Sequence, residues 1–438
     1  MARSTSHLRP RRDTWCRLGL GVQTSLGFFR FHSRSSLPIL AGPIHLRQAR
    51  RHRGLESWLG VYSAAVGGFI LMLIGGFVVL LFGAESLVRG ASKLAVALGL
   101  SPLVVGLTIV AMGTSAPEVT VSISSAWRGQ ADIAIGNVVG SNIFNVLFIL
   151  GLAATITPLV VDRRLIRLDV PLMIGAAGLL WIMGLDGELS RIEGAVLFSG
   201  LVGYIVHTLR EARKDPPADQ EAIVAERTPR AFLIDAAYIL AGFALLILGS
   251  KWLVDGAVGV ARALGVSELI IGLTIVAAGT GMPELATSIV AAIRGQRDIA
   301  VGNVVGSNIF NILAVVGLTG LVSPKGLPVS KIAVNFDIPV MTAAVVICLP
   351  IFFTGQRISR LEGLLFLGYY ASYVAYLILD SGGHDSLGAF SDIMLFAVLP
   401  LTVLIVGITT VHSFIENARD RRTGSTSPST PPPAPQAG

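Results

Sequence analysis

The chain has 438 residues, 53% of them apolar and 14% charged, with a mean hydropathy of +0.71. Soluble proteins carry about 25% charged residues, so this chain cannot cover a water-facing surface and reads as a polytopic membrane protein. The net charge of +7 sits at one end. Residues 1–57 hold eleven Arg against Asp13 and Glu56, while the remainder is slightly acidic, which excludes a nucleic-acid surface.

Residues 1–57 contain no apolar run of secretory-signal length. Their Arg- and Ser-rich, acid-poor composition suits a disordered or non-native N-terminal extension, or an organellar transit peptide. Eleven apolar segments follow, near the ~20 residues a bilayer requires: 63–83, 101–126, 132–155, 168–184, 192–209, 231–254, 267–292, 298–322, 336–353, 361–379 and 390–413. The charged, proline-containing stretch 210–230 (REARKDPPADQEAIVAERTPR) reads as a linker. The tail 416–438 ends in low-complexity sequence (TGSTSPSTPPPAPQAG) and is expected to be disordered.

The strongest feature is an internal repeat. Residues 106–145 align without a gap to 272–311, with 29 identities in 40 at an offset of 166. The chain therefore divides into a first five-helix repeat over 58–209, a second over 231–380, and one extra C-terminal transmembrane helix within 381–415. Five is odd, so the second repeat enters the membrane from the opposite side. The predicted fold is all-α, an inverted repeat of five plus five transmembrane helices with one extra C-terminal helix. In such folds the repeated polar residues converge near the bilayer centre, as in alternating-access transporters.

Basic residues cluster in the loops of one side, including Arg89, Lys93, Arg163, Arg164, Arg167, Arg210, Arg213, Lys214, Arg294 and Arg297. The positive-inside rule makes that side cytoplasmic. The first core helix then starts outside and the C-terminus is cytoplasmic, in a cell (inner) membrane. The eleven-Arg extension would have to be external, against the same rule.

Glu118 and Glu284 lie inside apolar segments, where a carboxylate costs at least ~2.5 kcal/mol and is a functional-site hypothesis by default. The alternative, a Glu held by a buried Lys or Arg, lacks a basic residue at helical spacing. Pro117 and Pro283 precede the carboxylates and deprive the carbonyls of Gly113 and Gly279 of their helical partners. Thr114 and Thr280 stand one turn before Glu118 and Glu284 on the same face. Carboxylate, hydroxyl and freed carbonyl at one helix break form the all-oxygen set that hard cations such as Ca²⁺ take. In the following block, GNVVGSNIFN, Ser141 shares a face with Asn145 and Ser307 with Asn311, and these four are read as cation ligands. Asn137, Asn142, Asn303 and Asn308 are read equally well as ligands or as hydrogen-bond glue between helices. Gly136, Gly140, Gly302 and Gly306 are spaced for close helix approach. Glu193 and Glu362 read as members of capping boxes with Ser190 and Ser359.

The segments GTSAPE and GTGMPE and the two GNVVGSNIFN blocks resemble the repeats of the cation/calcium exchanger superfamily, most nearly its prokaryotic calcium/sodium antiporter branch. The resemblance covers about 60–380. It implies secondary antiport of Ca²⁺ against Na⁺ by alternating access, with Glu118 and Glu284 as the central Ca²⁺ ligands. It further implies hydroxyls or carbonyls from Thr114, Ser115 and Thr280. Carbonyls of Ala111 and Ala277 would serve outlying Na⁺ sites, completed by Ser141, Asn145, Ser307 and Asn311. Gly281 departs from the pattern by standing where the first half has Ser115. Asn311 departs where some members carry Asp, which argues against potassium coupling. A proton-coupled exchanger for Ca²⁺ or another divalent cation is the alternative. No prosthetic group, nucleic-acid partner or enzymatic activity is expected, since no HExxH motif or His cluster lies in the apolar core. The transported ions and the lipid bilayer are the expected partners, and the monomer the expected functional unit.

Overall fold

The computed structural model describes residues 55–214, 229–266, 277–323, 326–382, 384 and 386–423. Nearly all of the expected extension 1–57, most of the linker 210–230, the first part of the segment 267–292 and the end of the tail 416–438 lie outside the described residues.

Among the described residues nine helices are long and apolar enough to cross a membrane, or ten if one bent pair is a single span. They are α1 (Ala65–Leu98), the bent pair α2a (Pro102–Thr114) and α2b (Ala116–Trp127), α3 (Ala131–Ile156), α4 (Leu165–Gly184) and α5 (Arg191–Ala212). Then follow α6 (Arg230–Ala263), α8 (Arg297–Val322), α9 (Ala333–Phe353), α10 (Arg360–Ser381) and α11 (Ser386–Val411). Between α6 and α8 lie a short helical piece, Ala277–Gly279, and α7 (Met282–Ile293). The chain is an all-α, multi-pass membrane protein.

Burial sorts the helices. The apolar stretch of α8 is buried throughout and that of α3 mostly so, although both carry several Ser and Asn. Helices buried on all sides form the centre. Leu71 and Phe82 of α1, Leu233 and Leu240 of α6, and Phe396 and Val403 of α11 are exposed. Large apolar side chains turned outward suit lipid and not water.

The two halves grip one another as a two-fold would require. Strand β1 (Leu159–Val160) pairs antiparallel with β4 (Arg357–Ile358), and β2 (Glu188–Leu189) with β3 (Leu327–Pro328). Each pair joins one loop from each half, and exchanging the halves turns one pair into the other. The long helices α1 and α6 run antiparallel with their backbones in contact. Gly76, Gly83 and Gly90 of α1 recur at an offset of 166 as Gly242, Gly249 and Gly256 of α6. A Cβ on Gly83 would sit 2.8 Å from the Leu246 nitrogen, and one on Gly249 would sit 2.6 Å from the Leu80 nitrogen. Seven-residue spacing keeps small residues on one helix face, and small residues let membrane helices approach this closely.

Capping boxes open α5 and α10. The Glu193 carboxylate accepts from the Ser190 amide at 2.8 Å, and that of Glu362 from the Ser359 amide at 2.7 Å. The central helices also carry π turns, at Gly106–Val110, Phe144–Leu150 and Asn311–Val316. Such turns widen a helix locally and recur at functional sites.

Candidate cation site

The proline breaks set the site. Helix α2a ends at Thr114, Ser115 takes φ −79° and ψ 5°, and α2b restarts at Ala116 with a bend of 42°. Gly281 repeats that backbone, φ −80° and ψ 3°, before α7. Each proline thus falls in a first helical turn, where a missing N–H costs nothing. Glu118 and Glu284 fall in the same turns, at the positive end of the helix dipole.

Both carboxylates are buried to 1% exposure and lie close enough to interact electrostatically. Glu118 neighbours the hydroxyls of Thr280 and Ser141, and Glu284 those of Thr114 and Ser115. Each carboxylate therefore faces at least one hydroxyl of the opposite half. The Ser115 hydroxyl donates to Glu284 Oε1 at 3.3 Å.

A cross-linked amide network fixes the surroundings. The Asn137 Nδ2 donates to the Glu118 backbone carbonyl at 3.3 Å and to Ser122 Oγ at 3.0 Å, while its Oδ1 accepts from Thr280 Oγ1 at 3.3 Å. Asn303 does the same for Glu284, Ser288 and Thr114, at 3.4, 3.0 and 3.1 Å. Asn145 Nδ2 donates to Asn308 Oδ1 at 3.2 Å, and Asn311 Nδ2 to Asn142 Oδ1 at 3.0 Å. Asn137, Asn303, Asn142 and Asn308 thus bond across helices.

What remains is a set of buried oxygens without a hydrogen-bond partner among the described residues: both of Glu118, Oε2 of Glu284, Oδ1 of Asn145 and of Asn311, and Oγ of Ser307. Buried polar atoms are nearly always paired. A concentration of unpaired oxygens from both halves is a donor set whose chemistry suits hard cations. Among the described residues no group of three His, Cys, Asp or Glu could hold a metal, so any such site relies on two carboxylates and neutral oxygens.

Other expected positions are placed as follows. Ala111 is fully buried, and its carbonyl accepts from the Ser115 amide at 3.0 Å and from Thr114 Oγ1 at 3.3 Å. Ala277 opens the short helical piece Ala277–Gly279. The Gly279 carbonyl, expected to be free, instead accepts from the Ser250 hydroxyl of α6 at 2.8 Å. Sequence reasoning passed over Ser250 because its partner lies on another helix. It also passed over Ser122 and Ser288, whose offset of 166 was the available signal. Gly302 and Gly306 do allow close approach. A Cβ on them would lie 3.0 Å from the Leu103 carbonyl oxygen and 2.7 Å from that of Leu107. The repeat equivalents of those partners, 269 and 273, lie outside the described residues. Glu85 lies away from the site, paired with Arg89 and bidentately with Arg294 at 2.8 and 2.9 Å.

The chain matches the sodium/calcium exchanger protein family over residues 68–210 and 234–379. It is 40% identical over 305 residues to a putative antiporter, CaxA, of Alkalimonas amylolytica, covering 68% of this chain and 95% of that one. It is 36% identical over 312 residues to the inner membrane protein YrbG of Escherichia coli, covering 70% and 95%. The solved structure of the sodium-calcium exchanger NCX_Mj, soaked with Na⁺ and Sr²⁺, superposes with a TM-score of 0.63 at 29% identity, covering 71% of this chain and 98% of that one. The doubled motif, the pairing of the halves and these matches agree: the chain belongs to the sodium/calcium exchanger protein family.

Proposed function

We propose that this chain exchanges Ca²⁺ for Na⁺ across the membrane by alternating access, driving Ca²⁺ out of the cell with inward Na⁺. The observation that carries the reading is the set of buried, unpartnered oxygens around Glu118 and Glu284, contributed by both halves. Two carboxylates neutralise one Ca²⁺ or two Na⁺. Removing either cation without replacement leaves buried charge, which is costly in this setting. That cost couples release of one ion to capture of the other. Glu118, Glu284, Thr114, Thr280 and Ser115 hold Ca²⁺. Ser141, Asn145, Ser307 and Asn311, with the carbonyls of Ala111 and Ala277, complete the Na⁺ sites. The two five-helix repeats move relative to each other around this centre. The protein resides in the inner membrane and acts as a monomer, with the first helix starting outside and the C-terminus in the cytoplasm. The bias of basic loop residues supports that orientation.

The test is ⁴⁵Ca²⁺ flux in proteoliposomes under an imposed Na⁺ gradient. Ca²⁺ accumulation driven by Na⁺ is expected. Flux driven by a proton gradient and indifferent to Na⁺ would replace this reading with proton-coupled exchange.

A further inference from the structure

Two methionines lie at the far ends of the amide chains. Met173 follows Pro171 by two residues in α4, and Met341 follows Pro339 by two residues in α9. The Asn142 Nδ2 donates to the Met341 sulfur at 3.4 Å, and the Asn308 Nδ2 to the Met173 sulfur at 3.6 Å. Each sulfur belongs to the half opposite its asparagine. All four residues are fully buried. Two equivalent rows result, one from Met341 through Asn142 to Asn311, the other from Met173 through Asn308 to Asn145. At the end of each row an Asn Oδ1 has no hydrogen-bond partner among the described residues.

A side-chain amide has two faces, one accepting and one donating, and a row of amides can run in either direction. The group at its end decides. A hydroxyl at that end could serve either direction, but a thioether only accepts. With sulfur there, Asn142 must turn its NH₂ to Met341 and its oxygen to Asn311. Asn311 must then turn its NH₂ to Asn142, leaving its own oxygen at the free end. The reverse direction would set an amide oxygen against the sulfur lone pairs and aim an NH₂ where a cation is to bind. Packing alone does not demand sulfur here, since Leu fills nearly the same volume.

We propose that Met173 and Met341 are positioning residues, whose acceptor-only sulfurs orient the amide rows so that Asn145 and Asn311 present oxygen to Na⁺. The proposal rests on the reading of Asn145 and Asn311 as Na⁺ ligands. It requires nothing of Glu118 or Glu284. The sulfurs touch no ion, and their effect is to set the site before the ion arrives, which lowers the cost of binding.

The experiment compares Met173→Leu, Met341→Leu, Asn311→Ala and the double variant Met341→Leu/Asn311→Ala in proteoliposomes. Thermal stability in detergent is recorded alongside. The readouts are the Na⁺ concentration giving half-maximal Ca²⁺ efflux, and the half-saturating Ca²⁺ at fixed low Na⁺. Each Leu variant should raise the half-maximal Na⁺ by about two- to tenfold, the ratio that one neutral hydrogen bond is worth. Half-saturating Ca²⁺ should stay unchanged. In the Asn311→Ala background, Met341→Leu should add nothing, because the row no longer ends in a ligand. Wild-type Na⁺ dependence in both Leu variants, with a shifted one in Asn311→Ala, overturns the role of the sulfurs and keeps the ligand reading. Parallel loss of Na⁺ and Ca²⁺ affinity with lowered stability overturns it in favour of packing. Unaltered Na⁺ dependence in Asn311→Ala overturns the ligand reading itself.

Discussion

The two halves share 29 of 40 residues across their central segments, and the structure repeats the asparagine bonds of the shared part. Asn137 clamps the first helix break as Asn303 clamps the second, and the two amide rows are interchangeable. The differences fall on the polar groups around this frame. Ser115 bonds Glu284, but its counterpart Gly281 offers Glu118 nothing, and Phe144 stands against that glycine. Ser250 holds the Gly279 carbonyl, but the matching position in the first half is Ala84. Glu85 grips Arg294, but its counterpart is Lys251 and that of Arg294 is Arg128, so the same pairing cannot form between like charges. A symmetric scaffold thus presents two unlike carboxylates, Glu118 with two oxygens unpaired among the described residues and Glu284 with one.

The largest effect should come from removing either charge. Glu118→Gln and Glu284→Gln keep shape and burial and, on the proposed reading, leave one carboxylate against a divalent ion. Ca²⁺ flux should fall at least about a hundredfold, equivalent to roughly 3 kcal/mol for a charged ligand lost. Initial rates of ⁴⁵Ca²⁺ uptake with protein amount normalised provide the check. Near-normal uptake in either variant would remove that residue from the site and dissolve the comparison.

These carboxylates, with Thr114 and Thr280, were legible because a charged residue beside proline in an apolar segment is anomalous, and the anomaly occurs twice. The Ser–Asn pairs of α3 and α8 were legible for the same reason of doubling. The cross-half bonds were not. Which asparagine is glue depends on what faces it from the other half, and sequence spacing cannot supply that. The Gly279 carbonyl illustrates the failure. Helix geometry correctly freed it, and a hydroxyl 29 residues away took it. The methionines escaped because the loop between α3 and α4 shifts their offset from 166 to 168, so a gapless alignment does not pair them. The π turns and the two-residue strand pairs leave no periodic trace of their own.

A second contrast lies outside the site. Asp169, fully buried, accepts from Tyr204 Oη at 3.0 Å and faces Arg164 Nε at 3.7 Å. Its counterpart Asp337 accepts from Tyr373 Oη at 3.2 Å, and Ile332 stands where Arg164 would be. Asp169→Ala strands a mostly buried guanidinium, whereas Asp337→Ala strands only a phenol. The first should cost roughly 2–3 kcal/mol and the second about 1 kcal/mol. Thermal unfolding in detergent should show the larger drop for Asp169→Ala, and equal drops would mean that Arg164 contributes nothing.

The unlike serine and glycine can be interchanged. Ser115→Ala frees the second oxygen of Glu284 and removes a hydroxyl from its side. Half-saturating Ca²⁺ should rise by about fivefold, one hydrogen bond's worth. Gly281→Ser should not restore symmetry alone, because its Cβ would meet the Phe144 ring at 2.8 Å. That ring is stacked on Phe148 at 4.9 Å and edge-on to Tyr370 at 5.5 Å, so it has little room to retreat. Gly281→Ser should lower stability, and adding Phe144→Leu should recover part of it. Full tolerance of Gly281→Ser by itself would show that the ring is not what keeps this position small.

The smallest effect belongs to the pairing at Glu85, and it tests whether the charge difference between the halves matters at all. The Glu85 side chain is 23% exposed and that of Arg294 is 55% exposed. Water and salt therefore screen the pair, and pairs of this kind are worth about 0.2–1 kcal/mol. Its placement is nonetheless consequential. Glu85 lies on α1, while Arg294 directly follows α7, the helix that carries Glu284. The bidentate fork thus ties a long helix of one half to the site helix of the other, and nothing equivalent can join Lys251 to Arg128. Any motion that separates α1 from the end of α7 must break this tie, so it favours the arrangement in which the two touch. Glu85→Gln should shift the balance between arrangements by no more than about fivefold. Glu85→Lys, which copies the second half, should shift it further through repulsion from Arg294. Glu85→Gln should flatten the dependence of Ca²⁺ flux on ionic strength, because the screened attraction is gone, and Glu85→Lys should reverse its sign, because salt then screens a repulsion. Flux measured from about 0.05 to 0.5 M of an inert salt, at fixed Na⁺ and Ca²⁺, reads this directly. A salt dependence identical to wild type in Glu85→Lys would show that the fork is ornamental to transport, and that the asymmetry that counts lies with Ser115 and Gly281 alone.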